Sequence, residues 1–486
     1  MNRFIFCISY IWPLAFMLAV ALATTMVFQS QINAHPDEIH HITAAQYYTD
    51  HWYPPAVGDP ASLNSYSKYG MSYLNEKEIV YFFAGKFARV LSWVGIPSAL
   101  AIRLFNLLQF AGLCFLFWLK PSSRWALGLC LLSPQIWYIY SYFNGDAFPL
   151  TIGFGLAILF GRVTQTLGSS VKTLDISPRQ LADIALFVIG LVILAISKRN
   201  YQVMLSFFIA ASAYRIIGRE AGLVFLMGAW LLALLFSFPS TLSINIQFIA
   251  ITVGLLSLLL LLNLYIREIK SGNSLRFFAS ILSLSLLLGL TSIAPTAFEK
   301  LRPPSVQRLN TGDMVSKTAM NEFKPDQSGR VKFYGTGLRD KGVPFYQIML
   351  RPWNWPELMS KSATGLYGWM RFQAPMWIYV MLWCSYSVLT IGAVRASRLS
   401  PQPETRDLGM MMAFSAAGLI SAAAYSSWAS DFQAQGRYLF PIIPMVATIA
   451  PAIAERMNAW WLTIAVGTAF SLSVISFITV GLAHIQ

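Results

Sequence analysis

Charge is scarce in this sequence. Only 12% of its 486 residues are charged, and 21 are acidic, while 56% are hydrophobic. A soluble globular domain carries roughly twice that share of charge, so that class is excluded. Cysteine is equally sparse. Cys7, Cys114, Cys130 and Cys384 all lie inside apolar runs, which excludes a disulfide framework and a thiolate zinc spacing. No G-x-x-x-x-G-K-[ST] occurs, so the chain is not by itself an ATP-driven pump. No internal repeat is visible, which weighs against a transporter built from inverted halves. Histidine is rare too, and no H-E-x-x-H pattern occurs, which argues against a membrane zinc protease.

What the chain does have is apolar runs, most of them near the ~20 residues a spanning helix needs. They predict an all-α polytopic membrane protein of about thirteen spans. These lie near 4–28, 98–119, 125–143, 147–161, 181–197, 200–216, 221–238, 242–266, 277–294, 374–394, 408–428, 438–454 and 460–482. The first run ends in Ala-Leu-Ala-Thr but is too long for a secretory signal, so it reads as an uncleaved anchor. The stretch 78–96 carries Lys86 and Arg89 mid-run and is placed along the interface as an amphipathic segment.

The net charge of +14 does not point to nucleic acid, because the basic residues collect in alternate short loops. Lys120 and Arg124 lie in one; Arg162, Lys172 and Arg179, then Arg215 and Arg219, lie in others. Arg267, Lys270 and Arg276, and finally Arg395, Arg398 and Arg406, continue the pattern. This is the positive-inside bias, and it makes those loops cytoplasmic. With the N-terminus inside, an odd span count puts the C-terminus outside. Two long outer loops result, at about 29–97 and 295–373. They divide the chain into a transmembrane module at 1–294, an outer cap at 295–373, and C-terminal helices at 374–486.

Four polar clusters then fall on the outer side. The first is His35-Pro36-Asp37-Glu38-Ile39-His40-His41, after the first span. Its plain reading is a helix start, with Pro36 at the first helical position and two acids in the first turn. Its chemical reading is a carboxylate able to take a proton from a bound hydroxyl. A zinc or manganese site shared by His35, Asp37 and His40 is left open. The second cluster, Ser141-Tyr142-Phe143-Asn144-Gly145-Asp146, reads as a turn, yet an acid at membrane depth is a functional candidate by default. The third, Ser197-Lys198-Arg199-Asn200-Tyr201, puts cations on the side where the bias predicts few. The fourth, Gln435-Gly436-Arg437-Tyr438-Leu439-Phe440-Pro441, places an arginine at the membrane face, suited either to phosphate or to snorkelling.

With these residues the chain resembles the GT-C class of multi-pass glycosyltransferases, which use polyprenyl-phosphate-linked sugars. Within it, the chain resembles a poorly characterised bacterial membrane family. The matching pieces are His-Pro-Asp-Glu, Tyr-Phe-Asn-Gly-Asp at 142–146, Ser-Lys-Arg-Asn-Tyr at 197–201, Gly365-Leu366-Tyr367-Gly368-Trp369, and Gly-Arg-Tyr-Leu-Phe-Pro at 436–441. The resemblance implies a GT-C fold with Asp37 as general base and Glu38 positioning it or the acceptor. Asn144 and Asp146 would bind sugar hydroxyls, the acceptor or a metal, and Lys198 and Arg437 would hold the donor phosphate. Arg199, Tyr201 and Tyr438 stand beside them as further substrate-binding candidates. Members of the class differ in metal use, so no cofactor is required by the resemblance and a divalent metal stays open. The expected protein is an inverting transferase of a bacterial plasma membrane, acting on its outer face upon a glycan, lipid or protein acceptor. Two other classes compete: a polysaccharide polymerase or ligase using lipid diphosphates, and a non-catalytic glycolipid transporter.

Overall fold

A computed structural model describes residues 2–170, 177–216, 311–321 and 337–485, with a few positions between 218 and 226 and Lys324. The runs expected at 242–266 and 277–294, and most of 221–238, lie outside the described residues, as does much of the second outer loop. Among the described residues the protein is helical, apart from one short antiparallel pair, β1 (Leu366–Tyr367) and β2 (Phe372–Gln373). Seven helices among the described residues are long and apolar enough to cross a bilayer, a polytopic all-α membrane architecture.

In chain order the helices begin with α1 (Asn2–Gln29), then α2 (Glu38–Asp50) and α3 (Ile79–Ser92) between the first two apolar runs. Next come α4 (Ser98–Leu119), the short α5 (Arg124–Leu127) and α6 (Pro134–Tyr140), and then α7 (Ala147–Ser170). Helices α8 (Pro178–Ala195) and α9 (Gln202–Ile216) follow. Beyond them lie α10 (Thr311–Thr318), α11 (Trp355–Thr364), α12 (Met376–Arg398) and α13 (Pro403–Ala429). The last are α14 (Ile442–Ala447), α15 (Ala450–Ala454) and α16 (Ala459–Ser476).

Three expected spans are not single membrane-length helices. The run 125–143 is broken, because Pro134 begins a new helix capped by the Ser133 hydroxyl. The run 438–454 is likewise cut into short helices around Pro441, Pro444 and Pro451. Helix α9 is continuous, but its 15 residues span only about 22 Å, short of the ~30 Å apolar core. The stretch 78–96 forms α3, whose inner face buries Val80, Tyr81, Ala84, Gly85 and Ala88 while Val90 stays exposed. A Cβ at Gly85 would stand 2.4 Å from the Ala45 carbonyl, so only glycine lets α3 approach α2 this closely.

The packing fixes helix directions. Helix α1 runs antiparallel to α4, with Phe16 against Phe110 at 5.3 Å and Arg103 reaching the carbonyls of Val27 and Ser30. Helices α7 and α8 are antiparallel, joined by the Arg162–Asp183 pair at 3.0 Å. Tyr214 at the far end of α9, and Arg219 just beyond it, meet Asp407 at the start of α13. One end of the bundle therefore gathers Asp37, Asp146, Lys198 and Arg437. The other end gathers Lys120, Arg124, Arg215, Arg395, Arg398 and Arg406. Near the first end, α11 presses on the turn at Gly436, whose N–H donates to the Ser362 hydroxyl at 3.0 Å.

A Cβ at Gly436 would lie 2.2 Å from the backbone nitrogen of Ala363, which no side-chain rotation can relieve. Gly436→Ala is expected to cost about 1–3 kcal/mol, read as a lower Tm of the detergent-purified protein. An unchanged Tm would contradict this packing.

Candidate functional site

The site begins with a buried ion pair. Glu38 is fully buried, and its carboxylate accepts two bonds from Arg103, Nε to Oε1 and Nη2 to Oε2, each 2.7 Å. The Asn33 N–H also donates to Oε2 at 3.0 Å. Arg103 has its remaining donors on the carbonyls of Val27, Ser30 and Gln31. The pair ties the chain leaving α1 to the wall of α4, so Glu38 acts by holding the loop that carries Asp37.

Asp37 departs from the expected helix start. The helix begins at Glu38, so Pro36 lies ahead of it and Asp37 is the residue that caps it. An aspartate there usually accepts a backbone N–H with its side chain. Here the carbonyl of Asp37 accepts from His40 and His41, while its carboxylate makes no capping bond. Its backbone is left-handed, φ 58°, a conformation that costs a non-glycine residue on the order of 1–2 kcal/mol. That turn points Oδ2 toward Arg437 Nη2, 3.9 Å away, and leaves the side chain 32% exposed.

Asp146 arrives from the opposite wall. The Asn144 amide donates to the carbonyls of Ile139 and Tyr142, and its oxygen accepts from the N–H groups of Asp146 and Ala147. Asn144 therefore shapes the turn that starts α7. Asp146 is wholly buried, with Oδ2 2.9 Å from Lys198 Nζ and 3.6 Å from Arg437 Nε. Its Oδ1 has no partner among the described residues. Tyr201 is buried beneath and donates to the Asp146 carbonyl at 2.9 Å. Arg437 is itself buried, held by Gln435 Oε1 at 2.7 Å and the Tyr142 hydroxyl at 3.3 Å, so it bridges Asp37 to Asp146. Tyr438 presents its ring to Lys198 at 5.4 Å and to Arg437 at 5.8 Å.

The structure thus brings together Asp37, Asp146, Lys198, Arg437 and Tyr438 from four separate stretches of chain. Arg199 is apart from them: its side chain is 85% exposed and pairs with Glu76 at 3.3 Å. His35 does not fit the role of metal ligand. It is buried, stacked on Tyr142, with Nδ1 on the Tyr138 hydroxyl and Nε2 on the Ser30 hydroxyl, so neither nitrogen is available. His40 is half-buried, and burial outweighs the nearby Asp37 carboxylate to lower its pKa. Among the described residues, no three His, Cys, Asp or Glu side chains converge as a metal-ligand group.

Two important side chains are not singled out by the motifs. Arg103 is one, although a lone cation inside the apolar run 98–119 is a readable signal. Glu78 is the other. It precedes α3, where the Ile79 N–H donates to the Ile196 carbonyl and so docks α3 beside the Lys198 segment. Gly145 lets the groups crowd together. A Cβ there would stand 3.0 Å from Glu78 Oε2, 3.5 Å from the Tyr81 hydroxyl and 3.9 Å from Lys198 Cδ. The Tyr81 hydroxyl in turn bonds His41 Nδ1 at 2.7 Å, and His41 stacks on Tyr73. Glu78 Oε2 and His41 Nε2, both buried, have no partner among the described residues. Burial, opposed by the Lys198 charge and aided by Asp146, pushes the Glu78 carboxyl up to about 7.

The chain matches no protein-family model, no curated protein and no solved structure.

Two outcomes follow from the buried charges. Arg103→Met strands the Glu38 carboxylate, with an expected loss of about 3–5 kcal/mol. Adding Glu38→Leu should restore most of the Tm, and a harmless single variant would contradict the anchoring role. For Glu78, the folded pKa lies above the unfolded value, so the folded state holds the extra proton. Stability is then highest below the unfolded pKa of 4.5 and falls, by at most about 1.4 kcal/mol per pH unit, as pH rises to about 7. Glu78→Gln should flatten Tm against pH across that window, whereas an unaltered slope would assign it to other groups.

Proposed function

We propose that the protein is a GT-C-type membrane glycosyltransferase, moving a sugar from a polyprenyl-phosphate donor to an acceptor hydroxyl. The observation that carries this reading is an aspartate that caps a helix without using its carboxylate. A strained backbone presents that carboxylate, partly exposed, beside a buried arginine. Asp146 and Glu78 are buried, so of the acids in this cluster Asp37 is the one open to a substrate.

In the proposed reaction the acceptor oxygen attacks the anomeric carbon as the bond from that carbon to the phosphate oxygen breaks. The acceptor proton passes to Asp37, and the polyprenyl phosphate leaves with the bonding pair. Lys198 and Arg437 stabilise the charge gathering on the phosphate. Without substrate their charges are balanced by Asp37 and Asp146. A phosphate therefore brings excess negative charge, which Glu78 can offset by holding a proton at neutral pH. In-line displacement inverts the anomeric centre.

The basic far ends of the helices support a cytoplasmic assignment for that side, with the site at the outer face of a bacterial plasma membrane. The thirteen-span topology belongs to this reading. In it the broken stretches 121–146 and 436–454 and the short α9 each return the chain from one end to the other. The three further passes of that topology, expected at 221–238, 242–266 and 277–294, lie almost wholly outside the described residues. The isoprenoid tail would lie against lipid-facing grooves between helices.

Asp37→Asn keeps the shape of the side chain and removes its basicity. It is expected to lower transfer of radiolabelled sugar from a polyprenyl phosphate by about 10²–10⁴-fold in detergent, with Tm unchanged. Full activity would remove the mechanism. A transporter would show no transfer in detergent, since transport needs two compartments, and a polymerase or ligase would demand a lipid diphosphate instead.

A further inference from the structure

Along α2, away from the cations, lies a polar cleft of about 230 Å³. Thr43, Gln46, Tyr47 and Asp50 form one wall, and their i, i+3, i+4, i+7 spacing places them on one helix face. The opposite wall is the turn Pro60–Ser65, contributing Ala61, Ser62, Asn64 and Ser65. His51 closes one end, its ring stacked on Tyr47 at 4.1 Å.

The chemistry of this lining is selective. Among the described residues no lysine or arginine lines it, and Arg89 beside it is paired with the Asp50 carboxylate at 3.4 Å, so it is not built for the donor phosphate. Its side chains are mostly polar, so an isoprenoid tail would gain little there. What it offers is two planar amides, four hydroxyls, two aromatic rings and a carboxylate already balanced by Arg89. The side-chain amides of Gln46 and Asn64 have no hydrogen-bond partner among the described residues. Each has donors and an acceptor to offer a neutral polyol. The volume lies just under the ~300 Å³ lower bound for drug-sized pockets, room for a single small ring.

The geometry points to a subsite for one neutral sugar ring of the acceptor, on the α2 face between Gln46 and Asn64. The inference rests on the transferase reading above and narrows its acceptor. Thr43 stands six residues past Asp37, about 9 Å along the helix, and Asp50 about 20 Å. A ring in the cleft is thus too far from Asp37 to be the one that reacts. The acceptor it fits is a glycan of at least two residues, whose inner ring is held along α2 while its terminal hydroxyl reaches Asp37.

The test is saturation-transfer NMR on the full chain in detergent, with no donor present. The probes are methyl glycosides of hexoses and N-acetylhexosamines. At least one should receive saturation from wild type, and the doubly substituted Gln46→Ala, Asn64→Ala protein should bind it roughly tenfold more weakly at an unchanged Tm. Asp37→Asn should bind it as wild type does. No saturation transfer to any glycoside, or equal binding by the double variant, would overturn the subsite even where sugar transfer is observed. Glycoside binding that depends on Gln46 and Asn64, in a protein whose Asp37→Asn form still transfers sugar, would uphold the subsite and sink the proposed base.

Discussion

The Glu38–Arg103 pair is the constraint on which the rest of the site depends. A carboxylate and a guanidinium taken from water cost several kcal/mol each unless every donor and acceptor is met. Here they are: the carboxylate takes two Arg103 bonds and the Asn33 N–H, while the guanidinium reaches three backbone carbonyls at the end of α1. Because the pair is stable only in that one arrangement, it fixes where the chain turns after α1. Asp37 is the residue before Glu38, so its left-handed turn is set by the same pair. The hairpin at 366–373 closes over this turn, with the Trp369 indole donating to the Asn33 carbonyl and the Gly368 N–H to the Tyr138 hydroxyl.

Around that fixed turn, charge is arranged in opposition. Two carboxylates, Asp37 and Asp146, face two cations, Lys198 and Arg437, and each member comes from a different connection between helices. Three buried oxygen and nitrogen atoms of Asp146, Glu78 and His41 are left without partners among the described residues. Buried polar atoms are rarely orphaned in a settled structure, and they concentrate where something else must bind. A polar centre kept incomplete by its own protein, at the end of a helical bundle, is what a substrate with both hydroxyls and a phosphate would complete.

Much of this was legible in the sequence, and the reasons differ by element. Long apolar runs such as 98–119 and 374–394 became single helices, because hydrophobic length alone decides that outcome. The runs at 125–143 and 438–454 are also apolar but carry Pro134, Pro441, Pro444 and Pro451. There the missing N–H groups and fixed φ divide them into short helices, whereas α1 accommodates Pro13. The polar clusters around Asp37, Asp146, Lys198 and Arg437 were visible because charge is so scarce here. Their roles within the clusters were not. Glu38 beside Asp37, and Arg199 beside Lys198, look equivalent in sequence. Yet the first is consumed by Arg103, 65 positions away, and the second faces solvent with Glu76. Long-range partners decide which of two neighbours is free, and spacing along the chain holds no record of them. Glu78 stayed unnoticed for the same cause, since its raised pKa arises from burial beside Gly145 and the Lys198 segment, far from it in sequence.

The central claim is that one lipid-borne sugar touches the base and both cations at once. A structure of the full chain with a short-chain polyprenyl-phosphate sugar tests it most directly. The account predicts the phosphate within hydrogen-bond reach, about 3 Å, of Lys198 and Arg437, with the anomeric carbon facing Asp37. A phosphate seated instead at the Arg395–Arg406 end, or a sugar remote from Asp37, would contradict it.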